Sequence, residues 1–379
     1  MYTTPNRLNL TVQRQIKYKT NMPQIGDIIR FTLTDGEEVQ AMAVQQVDDG
    51  MLFFMVDCLA NPIPMSDDKD NTCNYGNSDL RQKLNTEIAL RFPPEIRSLM
   101  APLDNGDLLS IPAAQELLFD WKFNRQRRNL LAFWGESGIC GSYWLQNHNL
   151  LPFGSTFSCI SIDGEQNLEF ASNPLGVRMV FKLLRGDMTV IRRKKIQPVE
   201  LLVGDIFDFS LSNGESVQAM AVKQDMDGMM FCFVDCLQVE SQANKHSRRV
   251  GYEISFLREK LNSVIVNRFP NEIIERMVSF PNGDFLRLPT EKEIFGKNLL
   301  SEPENAHIQQ WAPMKQQRNR IACKGKDGIG NTGKGYETYW LQNTAQCSPD
   351  WFSVVSFDGD ICCSNALYSR GIRPVFKLR

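Results

Sequence analysis

Hydrophobic and polar residues alternate along Ile28-Ile-Arg-Phe-Thr-Leu33, and the apolar positions include β-branched and aromatic side chains, so the segment predicts a strand. Asp35-Gly36 is a tight-turn signal, Val39 to Val47 a second strand, Asp49-Gly50 another turn and Met51 to Leu59 a third strand. Together they predict an antiparallel meander. The period then changes. Leu80, Leu84, Ile88 and Phe92 fall four apart on one helical face, with Ser78 placed to cap the first turn. Pro94 to Met100 predicts a second short helix, since proline suits a first turn. Leu108 to Ile111 follows as a short strand and Pro112 to Phe119 as a short helix. The pattern returns to β in Tyr143–Gln146, Phe157–Ile162 and Val177–Leu183, joined by loops rich in Gly, Asn and Ser.

The same pattern then runs a second time. Gly26 to Leu59 matches Gly204 to Leu237 at a constant offset, with 22 of 34 positions identical, including Val39-Gln-Ala-Met-Ala-Val44 against Val217-Gln-Ala-Met-Ala-Val222. Both segments end in Val-Asp-Cys-Leu. The match continues through Leu80-Arg-Gln-Lys-Leu-Asn85 and Leu257-Arg-Glu-Lys-Leu-Asn262, and through Asn105-Gly-Asp107 and Asn282-Gly-Asp284. It closes with Tyr143-Trp-Leu-Gln-Asn147 and Tyr339-Trp-Leu-Gln-Asn343, then Gly176-Val-Arg178 and Gly371-Ile-Arg373. The growing offset puts insertions in copy two near Gly296–Gln310 and Lys324–Gly335. Extended backwards, the offset pairs Arg14 with Arg192, so the basic run Arg192-Arg-Lys-Lys195 opens copy two rather than linking two domains. A solvated strand face explains that run more simply than an anionic partner does. The expectation is an α+β chain of two tandem homologous domains, 8–184 and 186–379, each an antiparallel meander with helices and a β-rich C-terminal half.

Composition removes several functions. The 379 residues carry a formal net charge of −2, which argues against a nucleic-acid binder. No apolar run reaches the roughly 18 residues of a membrane span. Met1 to Met22 is polar, so no signal peptide is expected, and the place of synthesis is a cytoplasm, with a cytoplasmic or virion-associated product. Of ten cysteines only Cys58 and Cys236 are equivalent between copies, which argues for reduced thiols rather than a shared disulfide framework. No C-x-x-C pair occurs, and neither a metal nor a cofactor is expected.

The candidate chemistry is thin. Gly328-Ile-Gly-Asn-Thr-Gly-Lys334-Gly335 has the spacing of a phosphate-binding loop. Such a loop needs a following helix and a Ser/Thr after the lysine. Here Gly335 and a strand-like run follow, which favours a surface loop. Asp57, Asp235, Asp163 and Asp358 are candidate acids or bases, although the Asp-Gly dipeptides at 163 and 358 read first as hairpin turns. His148, His246 and His307 have no counterparts in the other copy, so a shared histidine mechanism is not expected. Trp121, Trp144, Trp311 and Trp340 recur and read as core. Arg178 and Arg373 read as buried hydrogen-bonded pairs.

On these motifs each copy resembles a domain family of unknown function found in gut-type Gram-positive bacteria and their prophages. The residues that carry the resemblance are Ser78–Asn85, Phe92–Glu95, Leu108–Glu116, Tyr143–Asn147, Ser161–Gly164 and Gly176–Arg178, with Gly371-Ile-Arg-Pro374 closing copy two. The C-terminal half is similar to the C-type-lectin-like fold shared by formylglycine-generating enzymes and by the variable proteins of diversity-generating retroelements. That similarity implies a ligand surface between the tryptophan strand and the terminal strand. In copy one the residues so implied are Asn147, His148, Asn149, Gln166, Asn167 and Asn173, and in copy two Asn343, Thr344, Gln346, Asp360, Asn365 and Tyr368. No E-P-N, Q-P-D or W-N-D motif is present, so calcium-dependent sugar binding is not implied.

The expectation is a non-catalytic recognition protein of phage derivation whose loops bind a protein or glycan. The alternatives are an enzyme with one active copy, copy two being favoured, and a structural virion or assembly protein.

Overall fold

The computed structural model describes residues 10–66, 73–121, 129–134, 139–151, 154–162, 164–245, 251–324 and 336–379. It is β-rich, with 39% strand and 18% helix, several antiparallel sheets and few helices. Two compact units emerge. The N-unit is Ile16–Arg193, and the C-unit joins residues 10–15 to Lys194–Arg379.

In the N-unit sheet the strand order is Met188–Ile196, Ile28–Thr32, Glu38–Val47, Gly50–Met55, Val180–Leu184. Met100–Ala101 and Leu109–Ser110 both pair with Val180–Leu184. In the C-unit the order is Val12–Thr20, Ile206–Ser210, Ser216–Asp225, Gly228–Phe233, Val375–Leu378. The predicted meander is therefore present in both units. The compact units do not coincide with the repeat copies, because each takes its outermost strand residues from the start of the other copy. Ile191 pairs with Ile28, and Val12 with Phe207.

The ion pairs show why the exchange closes. Arg192 makes two bonds of 2.7 and 2.6 Å to Asp27, and Arg14 two of 2.7 and 2.6 Å to Asp205. Both aspartates are buried and also accept a backbone N–H, from Gln24 and Leu202 respectively. Arg14 and Arg192 are equivalent in the repeat, so either arginine has the chemistry to serve either aspartate. The basic run at Arg192 accordingly spends its first arginine on an internal bidentate pair.

The third meander strand, Gly50–Met55 in the N-unit and Gly228–Phe233 in the C-unit, is buried on both faces. Phe53 joins a core with Phe31, Phe92, Trp144, Phe157 and Phe181, while Phe54 joins another with Trp121, Tyr143 and Ile160. The C-unit repeats this with Phe231 and Trp340 in one cluster and Cys232, Trp311 and Tyr339 in the other.

The predicted helix begins as α at Asp79–Lys83, widens to a π turn at Leu84–Ile88 and tightens to a 3-10 turn at Ala89–Arg91. Ser78 Oγ caps it by accepting from Arg81 N–H at 3.2 Å. Leu80, Leu84, Ile88 and Phe92 are all buried. Residues four apart drift around an α-helix of 3.6 residues per turn. A π turn, with its i→i+5 bonds, holds more residues per turn and keeps this spacing on one face. Leu257, Leu261, Ile265 and Phe269 do the same in Phe256–Lys260, Leu261–Ile265 and Val266–Arg268. The other two predicted helices are shorter than expected. Helix Pro94–Arg97 ends before Met100, which pairs as a strand, and the helix after Pro112 includes a π turn at Glu116–Asp120.

Candidate functional site

The motifs that the copies share turn inward. In Tyr143-Trp-Leu-Gln-Asn147, Trp144 Nε1 donates to the Ile63 carbonyl at 2.8 Å and Gln146 Nε2 to the Ile111 carbonyl at 2.6 Å. Asn147 Oδ1 accepts the Ala114 N–H at 2.7 Å. In copy two Trp340 Nε1 donates to the Ser241 carbonyl, Gln342 Nε2 to the Leu288 carbonyl, and Asn343 Oδ1 accepts the Glu291 N–H. Of the residues assigned to the ligand surface, Asn147 and Asn343 are thus engaged in fixing the start of a short helix. Asn85 and Asn262 act alike, each tying its helix to the segment that follows Asn-Gly-Asp: Asn262 Nδ2 donates to the Arg258 and Leu286 carbonyls, and its Oδ1 accepts from Phe285 and Leu286.

Arg178 and Arg373 are the hubs of their units. Arg373 is 0% exposed. Its Nε donates to the Phe233 carbonyl at 2.6 Å, one terminal nitrogen to Tyr339 Oη at 2.9 Å and to the Arg320 carbonyl at 3.3 Å, and the other to the Asn319 carbonyl at 2.9 Å. Arg178 repeats the arrangement on Met55, Tyr143, Leu130 and Asn129, with its guanidinium 4.1 Å over the Phe54 ring. Among the described residues no carboxylate pairs with either arginine. Carbonyl dipoles and a phenol oxygen solvate the charge instead. Burial pushes the Tyr339 hydroxyl far up, against the opposing pull of Arg373, so it stays a neutral phenol.

The glycine of Gly-x-Arg belongs to the same region. A Cβ on Gly176 would lie 2.4 Å from Cys58 Sγ, and one on Gly371 2.6 Å from Cys236 Sγ. This close approach leaves no room for a side chain at either glycine. Asp57 and Asp235 are also structural, accepting the backbone N–H of Phe133 and Cys323.

The outward-facing candidates lie on a separate three-stranded sheet in each unit. In copy one it is Tyr143–Leu151, Gly154–Ile160 and Gln166–Phe170, in that order. The central strand is wholly buried, and the strand Gln166–Phe170 is almost wholly exposed. His148 and Asn149 lie exposed on one edge strand, and Gln166 and Asn167 exposed on the other. The structure therefore places these candidates on one sheet but at opposite edges. His148 packs its ring 6.0 Å from Phe157, Gln166 Nε2 donates to Ser158 Oγ at 3.1 Å, and Asn173 Nδ2 donates to Glu169 at 2.8 Å. The sequence reading missed Leu168 and Phe170, which are 46% and 44% exposed beside Asn167. Their alternation is ordinary for a strand, and nothing in it foretells that exposure.

Copy two builds the same sheet from Tyr339–Thr344, Trp351–Val355 and Ile361–Asn365. Here the insertion after the helix Glu291–Phe295 lies against the first edge. Ser301 bridges to Ala345, Gln346 N–H donates to the Leu300 carbonyl at 2.7 Å, and Asn343 Nδ2 donates to Glu304. Glu291, fully buried, anchors the insertion by accepting from the N–H groups of Leu299 and Leu300 and from Ser353 Oγ. Thr344 is half-buried, Gln346 exposed, and Asn365 turns its Oδ1 inward to the Leu367 N–H. Tyr368 is exposed, with the Arg370 guanidinium 5.7 Å over its ring. Asp360 is exposed at the hairpin turn, where burial and neighbouring Asp358 push its carboxyl up and Arg320 opposes them. Asp358 helps form that turn by accepting from Ser356 Oγ; Asp163 lies outside the described residues.

One polar cluster is peculiar to copy two. Lys324 pairs with Glu240, and burial, then the charge of Glu240, raise the Glu337 carboxyl to about 7 while Lys324 and Arg370 oppose the shift. Glu337 lies beside Gly371, over the buried Cys236. Copy one fills this place with Trp134 packed on Gly141.

The glycine-rich stretch from Gly328 to Gly335 falls outside the described residues, but its flanks are defined. Cys323 pairs with Tyr336 and Ala322 with Glu337, and the strand Tyr339–Thr344 follows. A helix N-terminus, which a phosphate loop requires, does not follow it. His307 is exposed, and His246 lies outside the described residues. Among the described residues no group of three or more metal-ligating side chains occurs, and no helix is long and apolar enough to cross a membrane. No protein-family model, curated protein or solved structure matches the chain.

Proposed function

We propose that the chain is a recognition protein of two homologous α+β domains, and that its ligand-contacting surface is the outer strand Gln166–Phe170 with Asn173 nearby. The observation that carries this reading is the exposure of Leu168 and Phe170 on a strand that ends its sheet. Natural sheet edges are usually blunted with charge, proline or a bulge, because open apolar edges attract other chains. This strand carries only Glu169 as a charge. The ligand that fits is an extended protein segment, which adds main-chain hydrogen bonds along the edge and sets side chains against Leu168 and Phe170. Divergence supports the reading. Copy two has Cys362, Cys363 and Asn365 where copy one has Asn167, Leu168 and Phe170, whereas Arg178, Trp144 and Asn147 have identical counterparts.

The test is selection from a random peptide display library, beside a glycan array, using the chain and its Leu168→Asp/Phe170→Asp variant. Peptides held by the chain and lost by a folded variant support the proposal. Glycan binding alone, peptides held equally by both proteins, or no ligand from either collection would contradict it.

A second reading is an enzyme whose active copy is copy two, and the Glu240–Lys324–Glu337 cluster favours it. A carboxyl that titrates near neutrality is suited to general acid–base work. A panel of ester, amide, phosphate-ester and glycoside substrates tests it: turnover that Glu337→Gln abolishes supports this reading, and no turnover refutes it.

A further inference from the structure

We propose that Cys347 and Cys363 are a redox pair that closes to a reversible disulfide by exchange with a low-molecular-weight disulfide such as oxidised glutathione, fastening the turn after Tyr339–Thr344 to the strand Ile361–Asn365. All ten cysteines are thiols in the structure. Most are buried, among them Cys58, Cys159, Cys232, Cys236 and Cys323, and burial lifts the Cys159 thiol to about 11 and that of Cys236 well above its ordinary value. Cys347 and Cys363 differ in being accessible and in contact, with their sulfurs 3.7 Å apart.

The backbone holds both in place. Ala345 N–H donates to the Trp351 carbonyl at 2.8 Å and Gln346 N–H to the Leu300 carbonyl at 2.7 Å, fixing the turn that carries Cys347. Cys363 is fixed by its pairing with Ser353 on the central strand. A disulfide needs about 2.05 Å between sulfurs, so closure asks for roughly 1.7 Å of approach, which side-chain rotation and a small shift of an exposed turn supply. The neighbouring Cys362 does not compete, because successive strand residues point to opposite faces. It pairs across from Val354, and its sulfur meets the Cys363 carbonyl at 3.6 Å.

The chemistry is ordered by accessibility. Cys347, exposed, attacks one sulfur of the small disulfide as its thiolate, forming a mixed disulfide and expelling one small thiol. Cys363 then loses its proton, attacks the Cys347 sulfur and expels the second small thiol. Two protein thiols and one small disulfide become one protein disulfide and two small thiols, so two electrons pass to the small molecule. Burial, then the neighbouring sulfurs of Cys347 and Cys362, push the Cys363 thiol up to about 11, so the first attack falls to the exposed Cys347. Leu168 occupies the position of Cys363 in copy one, so the device is confined to copy two. It stands apart from the recognition reading, and either can fail without the other.

The experiment equilibrates the full chain with reduced and oxidised glutathione at set ratios, quenches it with acid, alkylates free thiols and maps the peptides. The expected result is a Cys347–Cys363 crosslinked peptide that loses both alkyl tags as the ratio becomes oxidising and regains them on reduction. In Cys363→Ser the expected product is a mixed disulfide of glutathione on Cys347, and in Cys362→Ser the crosslink persists. Alkylation of both residues in the wild-type chain at every ratio overturns the proposal. So does a crosslink that runs through Cys362.

Discussion

Arg373 offers a quantitative test of how the C-unit is held together. Arg373→Met keeps most of the apolar stem and removes every donor. Four acceptors lose a charged partner: the carbonyls of Phe233, Asn319 and Arg320, and Tyr339 Oη. A hydrogen bond to a charged group contributes about 1.5–3 kcal/mol, so the gross loss is on the order of 6–12 kcal/mol. Two effects reduce it. Tyr339 Oη still donates to the Arg320 carbonyl at 2.8 Å, so that oxygen keeps a partner. Relief from burying a cation returns several kcal/mol. The net destabilisation should be about 3–5 kcal/mol, the range seen when one partner of a buried charged interaction is removed. For a unit of this size that lowers the melting temperature by roughly 6–20 °C. Calorimetry or urea unfolding followed by tryptophan fluorescence reads it, with the N-unit transition unchanged, and Arg178→Met should show the converse. A shift below about 1 kcal/mol for Arg373→Met would mean that water or a neighbouring group solvates those carbonyls as well as the guanidinium does, and that Arg373 is not the hub of the C-unit.

Other outcomes follow from the same interactions. Arg14→Ala should weaken the C-unit and Arg192→Ala the N-unit, each by about 1–3 kcal/mol, because each removes a bidentate partner from a buried aspartate; thermal melts showing the reverse assignment would contradict the strand exchange. Glu337, raised to about 7, holds its proton in the folded state over a range where the unfolded chain has released it. Its contribution is therefore complete below the ordinary carboxylate range and lost as pH rises towards 7. Glu337→Gln should flatten that decline in a series of melts across the interval, and an unchanged pH profile would count against the buried cluster.

Much of the architecture is legible in the sequence because it rests on local rules stated twice. The meander turns, the Ser78 cap, the four-residue apolar spacing and the inward Arg178 can all be read from residue types. The copy-two insertion is read from the change in repeat offset, and the structure shows what it does: Glu291 and Asn343 bind it to the sheet edge. The strand exchange was not legible, since a repeat makes Arg14 and Arg192 chemically interchangeable and the choice of partner lies in chain geometry. The proposed contact surface was legible only in part. Short polar residues at 147 and 343 look like contact residues, yet their amides serve backbone N–H groups. Leu168 and Phe170 look like core, yet nothing in the strand pattern reveals that they are 46% and 44% exposed.

The central claim is that the strand Gln166–Phe170 receives the ligand. Hydrogen–deuterium exchange of the full chain, with and without a peptide selected on it, tests this most directly. The expected result is slowed amide exchange in residues 164–173, and at least about a tenfold affinity loss in Phe170→Ala, equivalent to about 1.4 kcal/mol. Protection confined to other segments, with Phe170→Ala binding as the parent does, would contradict it.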